Sequence, residues 1–492
     1  MDVPRYRFGP LEHRGFIAGL RASQVVILAV GAIVALFVLR AASSGTGVAV
    51  AVAILAIAAV GSFAHVSGRP IVEWVGLCSA WWWRGLGGGR RFQSSLPSAA
   101  TFAPDPQPHF PAPLAGAIIL AHPVASSGGH IGVLKHARAG TYTAVIKVRG
   151  RSFSLLDPQE KARRLASWGA CLAGFARERT LVHRLQWVER TLPDPSDEIA
   201  LHLRDKAVLP LDSPIVRSYL EVIDDAGPVS LEHEVFVALQ VHAGHAARAI
   251  KAAGGGDHGA CEVLRRELAS LTSSLMSAEV VVEGALTPRL LAAALRVGFD
   301  PGSRRHLARL SSRDPDRAGS ALAAAGPVAT EASWSAYRCD GGFHATYWIA
   351  EWPRVDVDAD FLAPLLLRTE CTRTVSLTME PIPALRAIRA VESARTSMAA
   401  DEDLRDRAGF LSTARRRRED DALAQHEREL GNGHAFYRFA GHVTVTAPSL
   451  EELEGTCGEI EEAAGRCLLD LRRLDGQHDL AFVRTLPTAM GL

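Results

Sequence analysis

The chain has 492 residues, 48% of them apolar, and Lys plus Arg number 54 against Asp plus Glu 53, so the net charge is +1. A balance this even gives no general field for a polyanion and weighs against direct nucleic-acid binding. The seven cysteines are odd in number and include no C-x-x-C pair, which excludes a disulfide framework and a cysteine zinc site and fits reduced thiols in cytoplasm.

Two uncharged apolar runs, Ala22 to Leu39 and Gly47 to Val66, stand back to back near the start. Each is about the ~20 residues that carry a helix across ~30 Å of hydrocarbon. Arg5, Arg7, Arg14 and Arg21 precede the first run and Arg69, Arg84, Arg90 and Arg91 follow the second, while only Arg40 lies between them. Positive charge stays inside, so a two-helix transmembrane hairpin over 22–66 with both chain ends cytoplasmic is expected. Gly31 and Ala35 on one helix, and Ala49 and Ala53 on the other, are spaced to let the two pack closely. A cleaved signal peptide ending at Ala41, Ala42 and Ser43 and buried core helices of a soluble protein are the competing readings; the second apolar run and Arg40 argue against the first.

Pro70 to Arg84 reads as a juxtamembrane helix within 67–91, with Trp74, Trp81, Trp82 and Trp83 placed for the headgroup level of a lipid bilayer. Gly85 and Gly87 to Gly89 break it, with no strand ahead to make them a dinucleotide loop. Six prolines from Pro97 to Pro113 mark an extended linker over 92–113.

Four strand-and-helix units then follow, grouped into regions 114–330 and 331–492. The first alternates over Tyr142 to Arg149, starts a helix with Asp157, Pro158 and Glu160, and returns as a strand over Leu181 to Arg190. The second has Val235, Val237, Leu239 and Val241 on one strand face, a helix over His258 to Met276, a strand near Val280 to Val282 and a helix around Pro288 to Val297. In the third, Asp340-Gly341 signals a hairpin, Thr372 to Met379 alternates, and Pro381 opens a long charged helical region through Leu430. In the fourth, Tyr437, Phe439, Val443 and Val445 face one way and His442, Thr444 and Thr446 the other. Ser449 and Glu452 form a capping box, and a last strand is expected over Leu480 to Leu486. The fold class is α+β, antiparallel sheets with helices on one face.

Motifs for chemistry are sparse. No Gly-Lys pair occurs, so the chain is no P-loop motor, and G-x-S-x-G is absent. Asp356, Asp358 and Asp360 alternate, but Phe361 and Leu367 stand where a calcium loop needs glycine and glutamate; a solvated turn is favoured over a sugar-nucleotide site. His242 and His245 lack a carboxylate at ligand spacing. No catalytic residue, cofactor or metal is expected. Arg415, Arg416, Arg417 and Arg418, followed by Glu419, Asp420 and Asp421, read as a solvated, ion-paired helix, with a partner-docking surface as the functional candidate.

The text from Trp352-Pro353 through Met379-Glu380-Pro381, Val443 to Thr446, Leu474 to Gln477 and Leu486-Pro487 resembles the N-terminal, non-motor domain of the type IV secretion (conjugation) ATPases, and the hairpin is similar to the PrgI-like two-helix inner-membrane subunit of those machines. The resemblance implies an actinobacterial conjugal-transfer scaffold in the bacterial inner membrane, docking a separate hexameric P-loop ATPase and other channel subunits, and able to form a homo-oligomer. The alternatives are a type VII secretion membrane subunit and a membrane-tethered glycosyltransferase using Asp356 and Asp358.

Overall fold

The computed structural model describes residues 22–42, 44–66, 69–94, 106–124, 128–150, 153–193, 210, 213–226, 231–314, 318–367, 369–389 and 434–492, with isolated positions among 391–431. They fall into two compact units, one within 9–89 and 391–426, the other within 90–390 and 427–492.

The first unit holds α1 (Ala22–Ala41), α2 (Gly45–Phe63) and α3 (Ile71–Leu86). Both α1 and α2 are long and apolar enough to cross a membrane, and most of each is uncovered by protein. Their mutual approach depends on small residues. A Cβ on Gly31 would lie 2.6 Å from the Cβ of Ala58, and Ala35, Gly47, Ala51 and Ser62 are buried. The α2 face that packs is therefore Gly47, Ala51, Ala58 and Ser62, not the expected Ala49 and Ala53, both of which are exposed. Gln24 Nε2 donates to the Ser62 carbonyl at 2.7 Å, which fixes the register of the pair.

In the second unit thirteen described strands make one sheet. They are β1 (Arg91–Gln93), β2 (Ala117–Pro123), β3 (His130–His136), β4 (Thr141–Arg149), β5 (Val182–Pro193), β6 (Leu231–His242) and β7 (Val281–Ala285). After them come β8 (Ala329–Ala332), β9 (Tyr337–Cys339), β10 (Gly342–Glu351), β11 (Arg373–Ile382), β12 (Phe436–Ala447) and β13 (Asp470–Arg473). The order is β1-β8-β9-β10-β12-β11-β5-β6-β4-β3-β2, with β7 on β4 and β13 on β10, every pairing antiparallel.

That order is one pattern written twice. In module A the chain runs β4, α4 (Pro158–Phe175), β5, β6, α6 (Ala247–Ala252), α7 (Gly256–Ser277), β7, with α5 (Pro214–Ala226) between β5 and β6. Module B runs β10, α10 (Ala363–Leu367), β11, β12, α11 (Leu450–Arg466), β13. Each is a split βαβ unit, strand-helix-strand-strand-helix-strand, whose fourth strand pairs with its first. The correspondence reaches the irregularities. β4 shifts register at Lys147/Val148 against β7, and β10 shifts at Ile349/Glu351 against β13. Each module is extended by a hairpin, β2-β3 or β8-β9, and followed by a helix, α8 (Pro288–Phe299) or α12 (His478–Phe482). The modules meet edge to edge through β5 and β11, Leu185 opposite Met379 down to Thr191 opposite Arg373.

Period-two alternation sorts the side chains. On one face Tyr142, Ile146, Val237 and Leu239 pack under α7 with Leu264, Leu268 and Leu271, and Tyr347, Val443 and Val445 pack under α11 with Leu453 and Ile460. The helix starts follow capping rules: Asp157 accepts from the Gln159 and Glu160 N–H groups, Thr287 caps α8 ahead of Pro288, and Ser449 accepts from Glu452 N–H at 3.2 Å while donating to its carboxylate at 2.9 Å.

Two expected elements differ. Leu480 to Leu486 is not a strand but α12 and a 3-10 turn over Val483–Thr485, because β13 already holds the place beside β10. Ala481, Phe482, Val483 and Leu486 are all buried, a pattern without period two. Pro381 does not open a helix: it stays in β11, opposite Tyr437, and helix begins only at Ala384.

Candidate functional site

Arg415 to Arg418 lie outside the described residues. On α3, Trp74 and Trp81 are half-buried, and Trp82 and Trp83 are exposed, their rings edge to face at 5.5 Å. Arg84 lies over the Trp81 ring. Asp356 and Asp358 are exposed, while Asp360 accepts from Lys161 at 3.0 Å, so the three carboxylates do not converge. No group of three His, Cys, Asp or Glu among the described residues could hold a metal.

His242 and His245 do acquire a neighbour that spacing alone could not show. His183, at a bulge in β5, brings its ring within 5.3 Å of both. Burial, with Arg184 beside it, lowers the His183 imidazole to about 4. His242 Nδ1 accepts from Gly244 N–H at 3.1 Å, which leaves its proton on Nε2 and makes the ring a poor ligand. The thiols are equally quiet: six of seven are buried, and burial pushes Cys171, Cys261 and Cys371 up to about 11.

The second sheet face is the larger surprise. The polar parity of the strands is buried there beneath α8, α12 and the chain from Arg484 to Gly491. Gln186 donates to the Arg484 carbonyl at 2.8 Å and accepts from Ala489 N–H at 2.6 Å; Ser376 also donates to Arg484, and Gln240 to Thr488. Because these donors come from β5, β6 and β11, the segment crosses the junction between modules. Arg190, buried beside it, pairs with Glu234 at 2.9 Å and donates to the Ala294 carbonyl. The remaining cavity, lined by Arg190, Thr374, Thr444 and Thr485, is about 10 Å³, room for one water and no ligand. This interior is structural polarity, with Arg190 met by Glu234 and Arg484 by the His442 ring, and it has no reacting geometry.

What the second unit does expose is segregated charge. Helix α9 (Ser303–Arg313) carries four arginines, His306 and no acid. Helix α11 carries six glutamates against Arg466 alone. On α11, Glu451, Gly455, Gly458, Glu462 and Gly465 fall at intervals of four and three and share the exposed side. A Cβ on any of the three glycines would meet nothing within 4 Å, so packing does not require them, although glycine in a helix interior costs about 0.5–1 kcal/mol relative to alanine.

Compared with known proteins, residues 229–349 match the family EccE, described as a type VII ESX secretion system translocon. The match runs from the start of β6 into β10, about a quarter of the chain, covering the second half of module A and the first strand of module B. No curated protein matches the chain. The finding overturns the expected type IV secretion and conjugal-transfer assignment. The strings behind that resemblance are short and serve the fold: Val443 to Thr446 alternates within β12, and Leu486-Pro487 follows the last 3-10 turn, and a fold does not by itself imply a function.

Proposed function

We propose that the chain is a non-catalytic membrane subunit of a type VII secretion apparatus. The observation that carries this reading is the match over 229–349 in a chain that also bears two helices of membrane-crossing length and apolarity. α1 and α2 anchor it in the bacterial inner membrane, and the arginine distribution favours both ends in the cytoplasm. Trp74, Trp81, Trp82 and Trp83 seat α3 at the headgroup level. The duplicated sheet is then a docking platform for the other membrane subunits, and energy comes from a separate P-loop ATPase, since this chain has no Gly-Lys pair to make a phosphate cradle.

Affinity capture of the tagged full chain from detergent-solubilised membranes of its own cells tests this. The expected result is co-purification of type VII membrane subunits with their ATPase. Recovery from the soluble fraction, or capture without those subunits, would overturn it.

A further inference from the structure

We infer that the turn from β6 into α6 is a proton-sensitive latch: neutral His242 holds it closed through Nδ1, and a proton on that nitrogen releases it. Residues 242–246 carry the chain from the last position of β6 to the start of α6. Gly244 N–H donates to His242 Nδ1 at 3.1 Å, Ala246 N–H to the His242 carbonyl at 3.0 Å, and Ala243 N–H to the Gly140 carbonyl at 2.8 Å. Of these three bonds only the first depends on a titrating atom. An imidazolium carries a hydrogen on both nitrogens and accepts on neither, so protonation sets two donors against each other.

The surroundings favour the neutral ring. α6 has no side-chain cap of its own, because Ala246 stands at its N-cap, so the His242 ring is what orders the approach to it. Residue 244 has no room for a side chain: a Cβ there would lie 3.1 Å from His242 Cε1 and 3.3 Å from Nδ1. Two more imidazoles crowd the ring, His245 at 4.8 Å and His183 at 5.3 Å between centroids. Arg184 of β5 adds a fixed positive charge, and Glu380 of β11, which faces His183, lies 3.6 Å from Arg184. From the β3–β4 turn comes Gly140, whose Cβ would lie 3.8 Å from His242 Nε2; Arg138 of that turn acts on His136, and Arg248 of α6 is exposed.

Burial first, then His245 and Arg184, lower the His242 imidazole below its ordinary 6.5. The unfolded turn therefore takes the proton more readily than the closed one. The latch is whole above 6.5 and is lost as pH falls below it. Release is local, because β6 is held to β5 and β4 by backbone pairs that contain no titrating atom.

Hydrogen exchange of the detergent-solubilised full chain, read by mass spectrometry and corrected for the intrinsic pH dependence of exchange, compares peptides over 243–252 with the β6 interior, 235–240. Between pH 7 and pH 5 the wild-type turn should lose protection roughly tenfold, and the strand interior much less. H242N separates the latch from general acid loosening. An asparagine Oδ1 accepts from the amide two residues on and takes no proton in this range, so 243–252 should stay protected at both pH values. H242A should leave the turn unprotected at both. H245Q keeps the cap and should raise the midpoint of the wild-type transition, which keeps the assignment testable should H242N fail to fold. A wild-type turn equally protected at pH 7 and pH 5, an H242N chain as acid-sensitive as wild type, or an unmoved H245Q midpoint would overturn it.

Discussion

Modules A and B share strand order, register shifts and the helix that follows them, yet they protect their cores differently. In module A two long helices, α4 and α7, cover one sheet face, and the opposite face buries Gln186, Arg190 and Gln240. In module B the first helix shrinks to the five residues of α10, and the fully buried His344 and His442 sit on the opposite sheet face. Both modules thus join an apolar face to a buried polar one, where most polar groups find a partner. His344 does so with Thr446 at 2.8 Å and the Phe299 carbonyl at 3.1 Å.

The junction is the first place to break that comparison. Arg190→Ala would remove the closest partner of the Glu234 carboxylate, leaving it Lys147 at 3.5 Å, and would remove the bond to Ala294; a loss of about 3 kcal/mol is expected in chemical denaturation. Next come matched truncations, Leu264→Ala on α7 and Ile460→Ala on α11, both fully buried. Each should lower stability by about 2–5 kcal/mol and shift one shared transition, because β5 and β11 make the two modules a single sheet. Two separately shifted transitions would show the modules to be independent.

Acid should then separate the modules. Burial lowers His344 to about 4 and His442 to about 3, so folded module B resists a proton that the unfolded chain accepts near 6.5; His183 in module A is lowered to about 4 as well, but it is only half-buried and solvent screens its share. Stability is whole above that value and is lost as pH falls from it toward 3 to 4, by about 2 kcal/mol per imidazole at pH 5. Hydrogen exchange at pH 7 and pH 5 should show β10 and β12 loosening more than β4 and β6. The smallest effect is a gain. Gly455→Ala and Gly458→Ala should each raise thermal stability by about 0.5–1 kcal/mol, because an added Cβ meets no neighbour at either position.

Much of the fold is legible in the sequence because its signals are local. The Ser449-Glu452 box, the Asp157-Pro158 start and the alternation over Tyr142 to Arg149 each specify an element within a few residues. The duplication is not legible in that way. It resides in which strands pair, and sequence spacing carries no record that β7 returns to β4 or β13 to β10. The buried polar face is hidden for a related reason. Thr374, Ser376 and Thr378 look like a solvent-facing parity until a distant segment, Arg484 to Met490, lies over them. His183 joins His242 and His245 only through a bulge across a strand pair.

The claim beneath all of this is that two copies of one module form a single cooperative sheet through β5 and β11. Native-state hydrogen exchange at the junction amides, residues 185–191 and 373–379, tests it directly. Exchange only through global unfolding, with the same free energy as the interior amides of β6 and β12, is the expected result. Junction amides that open at far lower free energy than those interiors would contradict it.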